Sequence, residues 1–211
     1  MLIDMKLKDF IDELSSDKPA PGGGSASALS ASLGVALYIM VMNLTKGKKF
    51  YNEYSEEVKK GIDDSMEKME FFKRELEALI DEDTNAYNRV MAAFKLPKNT
   101  EEEKRIREEE IQKAYKIAID VPYKTAKISL DALKMFEFGA RYGNPNAITD
   151  IAVGCNLLYS GIVGALYNVR INLNSIKDEM FVNEMKMECD DILKKAEACK
   201  EAVVKLVEGK I

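Results

Sequence analysis

The stretch KPAPGGGSASALSASLGVALYIMVMNLT, from Lys18 to Thr45, constrains this chain more than any other. Pro19 and Pro21 end any preceding helix and hold the chain extended. Gly22, Gly23 and Gly24 follow, a backbone without Cβ atoms that lets another group come close. Ser25 is a good helix N-cap, and an apolar run begins directly after it. Small residues fill that run: Ala26, Ser27, Ala28, Ser30, Ala31, Ser32, Gly34 and Ala36. A helix apolar on every side and rich in small residues is buried all round, against closely packed neighbours. The sequence therefore predicts a central helix entered through a glycine turn whose N–H groups point outward.

The 211 residues suffice for one domain with a real core, and residues 1–211 are assigned to a single domain. A net charge of −5 with no basic stripe argues against nucleic acid as the main partner. Cys155, Cys189 and Cys199 are odd in number and lack metal-ligand spacing, so free thiols, a reducing cytoplasmic compartment and no metal are expected. The chain has no histidine, which excludes His-dependent triads, His metal sites and an imidazole base. The N-terminus MLIDMKLKDFIDEL is amphipathic and acidic rather than a signal peptide. Ala26–Leu44 is about long enough to cross a bilayer, but its serines, its asparagine and the missing aromatic belts argue against a membrane.

The rest of the chain reads as helices. The first runs from about Asp4 to Ser15, with Leu7, Phe10, Ile11 and Leu14 as its apolar stripe. Gly47, among Lys46, Lys48 and Lys49, marks the end of the central helix. A long helix follows from about Tyr54 to Phe94, ended by Pro97. Thr100 with Glu103 has capping-box spacing and starts the next, in which Pro122 is expected to kink or break the helix near Asp120. Asn144 before Pro145 is a strong helix start. The helix from there to about Asn174 is again apolar nearly all round, with Asn168, Arg170, Asn172 and Asn174 as polar exceptions suggesting a buried network or an interface. An amphipathic helix from about Asp178 to Glu208 closes the chain, and strand-like alternation is absent. The fold class is thus an all-α, single-domain bundle with two central, all-round apolar helices. A homodimer burying the second of these is expected.

One residue breaks the pattern of the long helix. Its apolar stripe runs through Val58, Ile62, Met66, Met69, Phe72, Leu76, Leu79, Ile80, Tyr87, Val90 and Phe94, yet Asp83 falls four after Leu79 and four before Tyr87. A carboxylate on a buried stripe is costly unless partnered or kept protonated. Asp83 is therefore either a structural carboxylate, ion-paired or capping, or a tuned proton carrier. Asp81 and Glu82 lie off the stripe and read as solvated. Asp150 lies in the early turns of its helix, where the dipole favours a negative charge.

The blocks PAPGGGSASALSASLGVAL, DEDTNAYNRVMAAFKLPKNTEEEK, AIDVPYKTA and GNPNAITDIAVG, the last followed by ALYNVRINL, together resemble the cyclodeaminase/cyclohydrolase family. The likeness runs in order over essentially the whole chain. It implies an all-α dimer and tetrahydrofolate one-carbon chemistry without a metal or redox cofactor. Two reactions are implied. One hydrolyses 5,10-methenyltetrahydrofolate to 10-formyltetrahydrofolate. The other cyclises 5-formiminotetrahydrofolate to the methenyl form with release of ammonia. The absence of a formiminotransferase domain tilts the expectation toward the first. The position matching the family's proton donor is Asp83. The resemblance also points to Asp150 as a second catalytic residue and Asn144 as polar lining. Gly22, Gly23, Gly24 and Ser25 offer backbone N–H groups to the ligand, and Lys46 and Arg141 are candidates for its glutamate tail. The rival expectation is a non-catalytic helical scaffold that kept the fold.

Overall fold

The structure, a computed structural model describing residues 1–211, has eight α-helices, two short 3-10 turns and no strand. The helices are α1 (Leu7–Leu14), α2 (Gly23–Thr45), α3 (Lys49–Asn52), α4 (Glu56–Phe94), α5 (Glu101–Leu133), α6 (Phe136–Tyr142), α7 (Ile148–Leu173) and α8 (Glu179–Glu208).

Helix α2 lies antiparallel to α7, and small residues let the two backbones nearly touch. A Cβ added to Gly34 would sit 2.6 Å from the Gly154 carbonyl, and one on Gly154 would sit 2.9 Å from the Gly34 carbonyl. One on Gly161 would lie 2.8 Å from the Ser27 carbonyl. This is the close packing that the small-residue run of α2 demands. Helix α4 packs antiparallel on another side of α2: Ser25 meets Ile80 and Asp83 at one end, and Lys46 pairs with Asp63 at the other. Helix α5 returns along α4 and α7, and α8 covers α7.

The ends of the helices follow local chemistry. Thr100 and Glu103 form a reciprocal capping box at the start of α5, Ser55 caps α4 and Asp178 caps α8. Gly47 takes φ +75° just beyond α2, a left-handed stop that only glycine adopts cheaply. Four expectations are corrected. The N-cap of α2 is Gly22, and Ser25 sits one turn further in, fully buried. Pro122 does not break its helix, because α5 runs unbroken through it. The stripe of α1 is largely outside: Phe10 is buried, but Leu7 and Ile11 are 68% and 53% exposed. Asp81 is not simply solvated, since its carboxylate accepts the backbone N–H groups of Leu2 at 2.5 Å and Ile3 at 3.3 Å.

Candidate active site

At the N-terminal end of α2, the glycine turn opens into a cleft of about 280 Å³. One rim is the backbone of Pro19, Ala20 and Gly22–Gly24. A wall from α4 carries Asp83, Tyr87, Met91 and Phe94. Tyr115 and Ala118 of α5 and Asn168 and Asn172 of α7 complete it. Phe94 and Tyr115 meet edge to face, 6.2 Å between centroids, and Arg107 stacks on the Phe94 ring at 5.5 Å. The surface is a slot with aromatic and methionine sides and a few polar groups, a common form for a site that takes a flat organic ligand.

Asp83 is the carboxyl group in this slot. Ser25 donates its backbone N–H to the carboxylate at 2.9 Å, and its hydroxyl lies 3.2 Å from the same oxygen. Gly24 must be glycine here, because a Cβ would fall onto the Asp83 carboxylate. Burial pushes the Asp83 carboxyl above the usual carboxylate range, and the two bonds from Ser25 pull less strongly the other way. The first-turn N–H groups of Gly23 and Gly24 have no place in the intrahelical ladder, and both residues line the same opening. A carboxyl of raised pKa beside a glycine turn can pass a proton to or from a bound molecule.

Gly22, Gly23, Gly24 and Asp83 thus line one cleft, with Ser25 buried beneath them. The remaining candidates are elsewhere in the chain. Lys46 closes α2 and pairs with Asp63 at 2.5 Å, and Arg141 pairs with Glu137 at 2.6 Å. Asn144 is buried, and all its bonding is internal: N–H to Thr45 Oγ1, Nδ2 to the Leu44 carbonyl, and Oδ1 accepting from Asn146. Asp150 sits in the first turn of α7, where the dipole favours it. Along α2 these four lie about 20 to 33 Å of helical rise from the cleft, Asp150 nearest, one turn past the Gly34–Gly154 contact, and Lys46 furthest. The expectation that Asn144 and Asp150 share a site with Asp83, and that Lys46 and Arg141 reach the same ligand, is therefore not met within one chain. Sequence reasoning missed Tyr87, Phe94 and Tyr115 as site walls, because an aromatic at helical spacing reads the same in a core and in a cleft. It did register Asn168 and Asn172 as polar exceptions.

The family model for formiminotransferase-cyclodeaminase matches residues 6–191. The chain is 38% identical over 205 residues to a methenyltetrahydrofolate cyclohydrolase of Methylorubrum extorquens, covering 97% of each. It is 33% identical over 207 residues to a formimidoyltransferase-cyclodeaminase of Gallus gallus, covering 98% of this chain but 38% of that longer protein. A crystal structure of formiminotetrahydrofolate cyclodeaminase from Thermotoga maritima superposes with a TM-score of 0.87 at 31% identity, over 99% of this chain and 98% of the other.

Proposed function

The chain belongs to the formiminotransferase-cyclodeaminase family, and from that premise we propose that it is a tetrahydrofolate one-carbon enzyme that hydrolyses 5,10-methenyltetrahydrofolate to 10-formyltetrahydrofolate. End-to-end likeness to a cyclohydrolase favours the hydrolytic reaction. The observation that carries the chemistry is a half-buried carboxyl of raised pKa on an aromatic-walled cleft.

In this reading the Asp83 carboxylate takes a proton from water as the oxygen bonds to the methenyl carbon. A tetrahedral carbon forms between the two folate nitrogens. Asp83 then gives that proton to N5 as the carbon–N5 bond breaks, and the hydroxyl proton leaves to solvent as the formyl C=O forms. One proton is released overall, and Asp83 ends ionised as it began. The Gly23 and Gly24 N–H groups offer donors to a carbonyl or carboxylate of the ligand. Such acid–base help is worth about a hundred- to ten-thousand-fold in rate.

The cyclodeaminase reaction is the second reading, favoured by the structural match to a cyclodeaminase. There N10 attacks the formimino carbon as its proton passes to the imino nitrogen. Protonated Asp83 then gives the second proton with which ammonia departs, leaving the methenyl cation and an ionised Asp83 that solvent reprotonates. A spectrophotometric assay of both substrates separates the two. Asp83→Asn is expected to fold normally and lose at least about a hundredfold in kcat on the active one. A near-normal rate in a folded variant overturns the mechanism.

The bundle is also proposed to pair with a second copy of itself. Leu33, Met40 and Leu44 of α2 and Val153, Tyr167 and Ile171 of α7 are exposed. Helix α2 carries no charged residue, and α7 carries none between Asp150 and Arg170. An uncharged apolar face is complementary to its own copy. Light scattering should give twice the chain mass, and a monomer would refute the pairing.

A further inference from the structure

Pro122 lies inside α5, so its missing N–H leaves the carbonyl four residues back, that of Ala118, outside the helical ladder. Asn172, on α7, donates its Nδ2 to that carbonyl at 3.0 Å. One turn earlier on α7, Asn168 donates its Nδ2 to the Gly164 carbonyl at 2.9 Å. A carbonyl only accepts, so each amide is fixed with its NH2 on the backbone and its Oδ1 turned away. Both residues line the Asp83 cleft, and neither Oδ1 is sealed from solvent. One hydrogen of each NH2 is thus held by backbone, and each Oδ1 makes no bond within the chain, so the cleft is lined by two neutral acceptors one helical turn apart.

Resting on the folate reading above, we propose that Asn168 and Asn172 are the specificity-determining residues that receive the donor edge of the substrate's 2-amino-4-oxopyrimidine ring, its ring N–H and exocyclic amine. Two unpaired amide oxygens a turn apart suit a ligand edge that carries two donors side by side, as this one does. The geometry aligns the reaction as well. A Cβ on Gly23 would lie 3.4 Å from Asn168 Nδ2, whereas one on Gly24 would fall on Asp83. The two side chains thus flank adjacent residues, whose Cα atoms are about 3.8 Å apart. A bicyclic ring lying against Tyr87, Phe94 and Tyr115, with its pyrimidine edge on the asparagines, directs its reacting nitrogen toward Asp83. Pro122 is the positioning residue in this arrangement, because the carbonyl it frees orients Asn172.

The test compares the methenyl substrate with its 2-desamino analogue. Wild-type enzyme is expected to favour the amino form by about ten- to a hundredfold in kcat/KM, the size of leaving a buried acceptor unpaired. Asn168→Ala and Asn172→Ala should lose most of that preference in kcat/KM, with the rise in KM larger than the fall in kcat. Pro122→Ala restores an N–H to the Ala118 carbonyl and frees Asn172 to turn. It should keep or raise thermal stability while weakening the same preference, a combination that a purely structural role for Asn172 does not produce. Wild-type indifference to the amino group overturns the proposal without recourse to any variant. So does an unchanged preference in folded Asn168→Ala and Asn172→Ala. If wild type turns over neither folate substrate, the functional reading itself fails and takes this proposal with it.

Discussion

Ser25 and Asp83, 58 residues apart in sequence, share two hydrogen bonds to one carboxylate oxygen, 2.9 Å from the Ser25 nitrogen and 3.2 Å from its hydroxyl. The Ser25 hydroxyl also lies 2.8 Å from the Ile80 carbonyl. Its single hydrogen can serve either acceptor. With Asp83 ionised it can turn to the carboxylate. With Asp83 protonated it stays on Ile80 while the serine oxygen accepts the acid's own hydrogen. Both protonation states are satisfied without moving the backbone, which suits a residue that must alternate between them.

The raised pKa of Asp83 makes stability depend on pH in a definite direction. The folded state holds this proton more tightly than the unfolded chain does. Its stabilising contribution is full below the unfolded carboxyl's range and is lost as pH rises through the raised folded value. Asp83→Asn removes that dependence. Its melting temperature, set against wild type by calorimetry across pH, should gain relative to wild type as pH climbs from acid to neutral. A constant difference at every pH would contradict the shift.

Gly24→Ala should behave like a loss of Asp83. The added methyl lands on the carboxylate and forces it off Ser25. Activity is expected to fall about a hundredfold or more while circular dichroism stays helical. Gly47→Ala is the control. Its φ of +75° makes any side chain strained, at about 1 kcal/mol, yet open space surrounds the position and it sits at the far end of α2. A lower melting temperature with unchanged kcat is the expected result.

Gly34→Ala tests the α2–α7 crossing. Its Cβ would press on the Gly154 carbonyl at 2.6 Å and Leu158 at 2.9 Å, and both belong to the core of the bundle. Overpacking of this kind costs about 1–3 kcal/mol. Urea denaturation should show that loss, and the cost of adding Gly154→Ala should be non-additive because the two glycines face each other.

Tyr38 is fully buried, 5.2 Å from Phe136 between centroids, and its hydroxyl makes no hydrogen bond. The Ser65 hydroxyl faces it without completing a well-formed hydrogen bond, its own hydrogen going to the Ile62 carbonyl at 2.8 Å. Removing an unpaired buried hydroxyl relieves a desolvation penalty of about 1–3 kcal/mol. Tyr38→Phe should therefore unfold at equal or higher denaturant concentration than wild type, and a marked loss would show that the hydroxyl is bonded after all.

Much of this protein is determined by local pattern. The helices, the capping box at Thr100, the stop at Gly47, the packing surface of α2 and the odd carboxylate at position 83 all follow from spacing and residue type. These are short-range properties, set by the 3.6-residue period, the reach of a side chain to its own helix end and the absence of a Cβ. Which residues converge is a different matter, decided by how antiparallel helices stack. Stacking places Asn168 and Asn172 beside Asp83 and sends Asn144, Asp150, Lys46 and Arg141 to the opposite end of the bundle. It also explains why α5 tolerates Pro122: the carbonyl that proline abandons is taken up by an asparagine on α7, 50 residues further along the chain. No local rule reports such a partner, because the hydrogen bond exists only once two distant helices lie side by side.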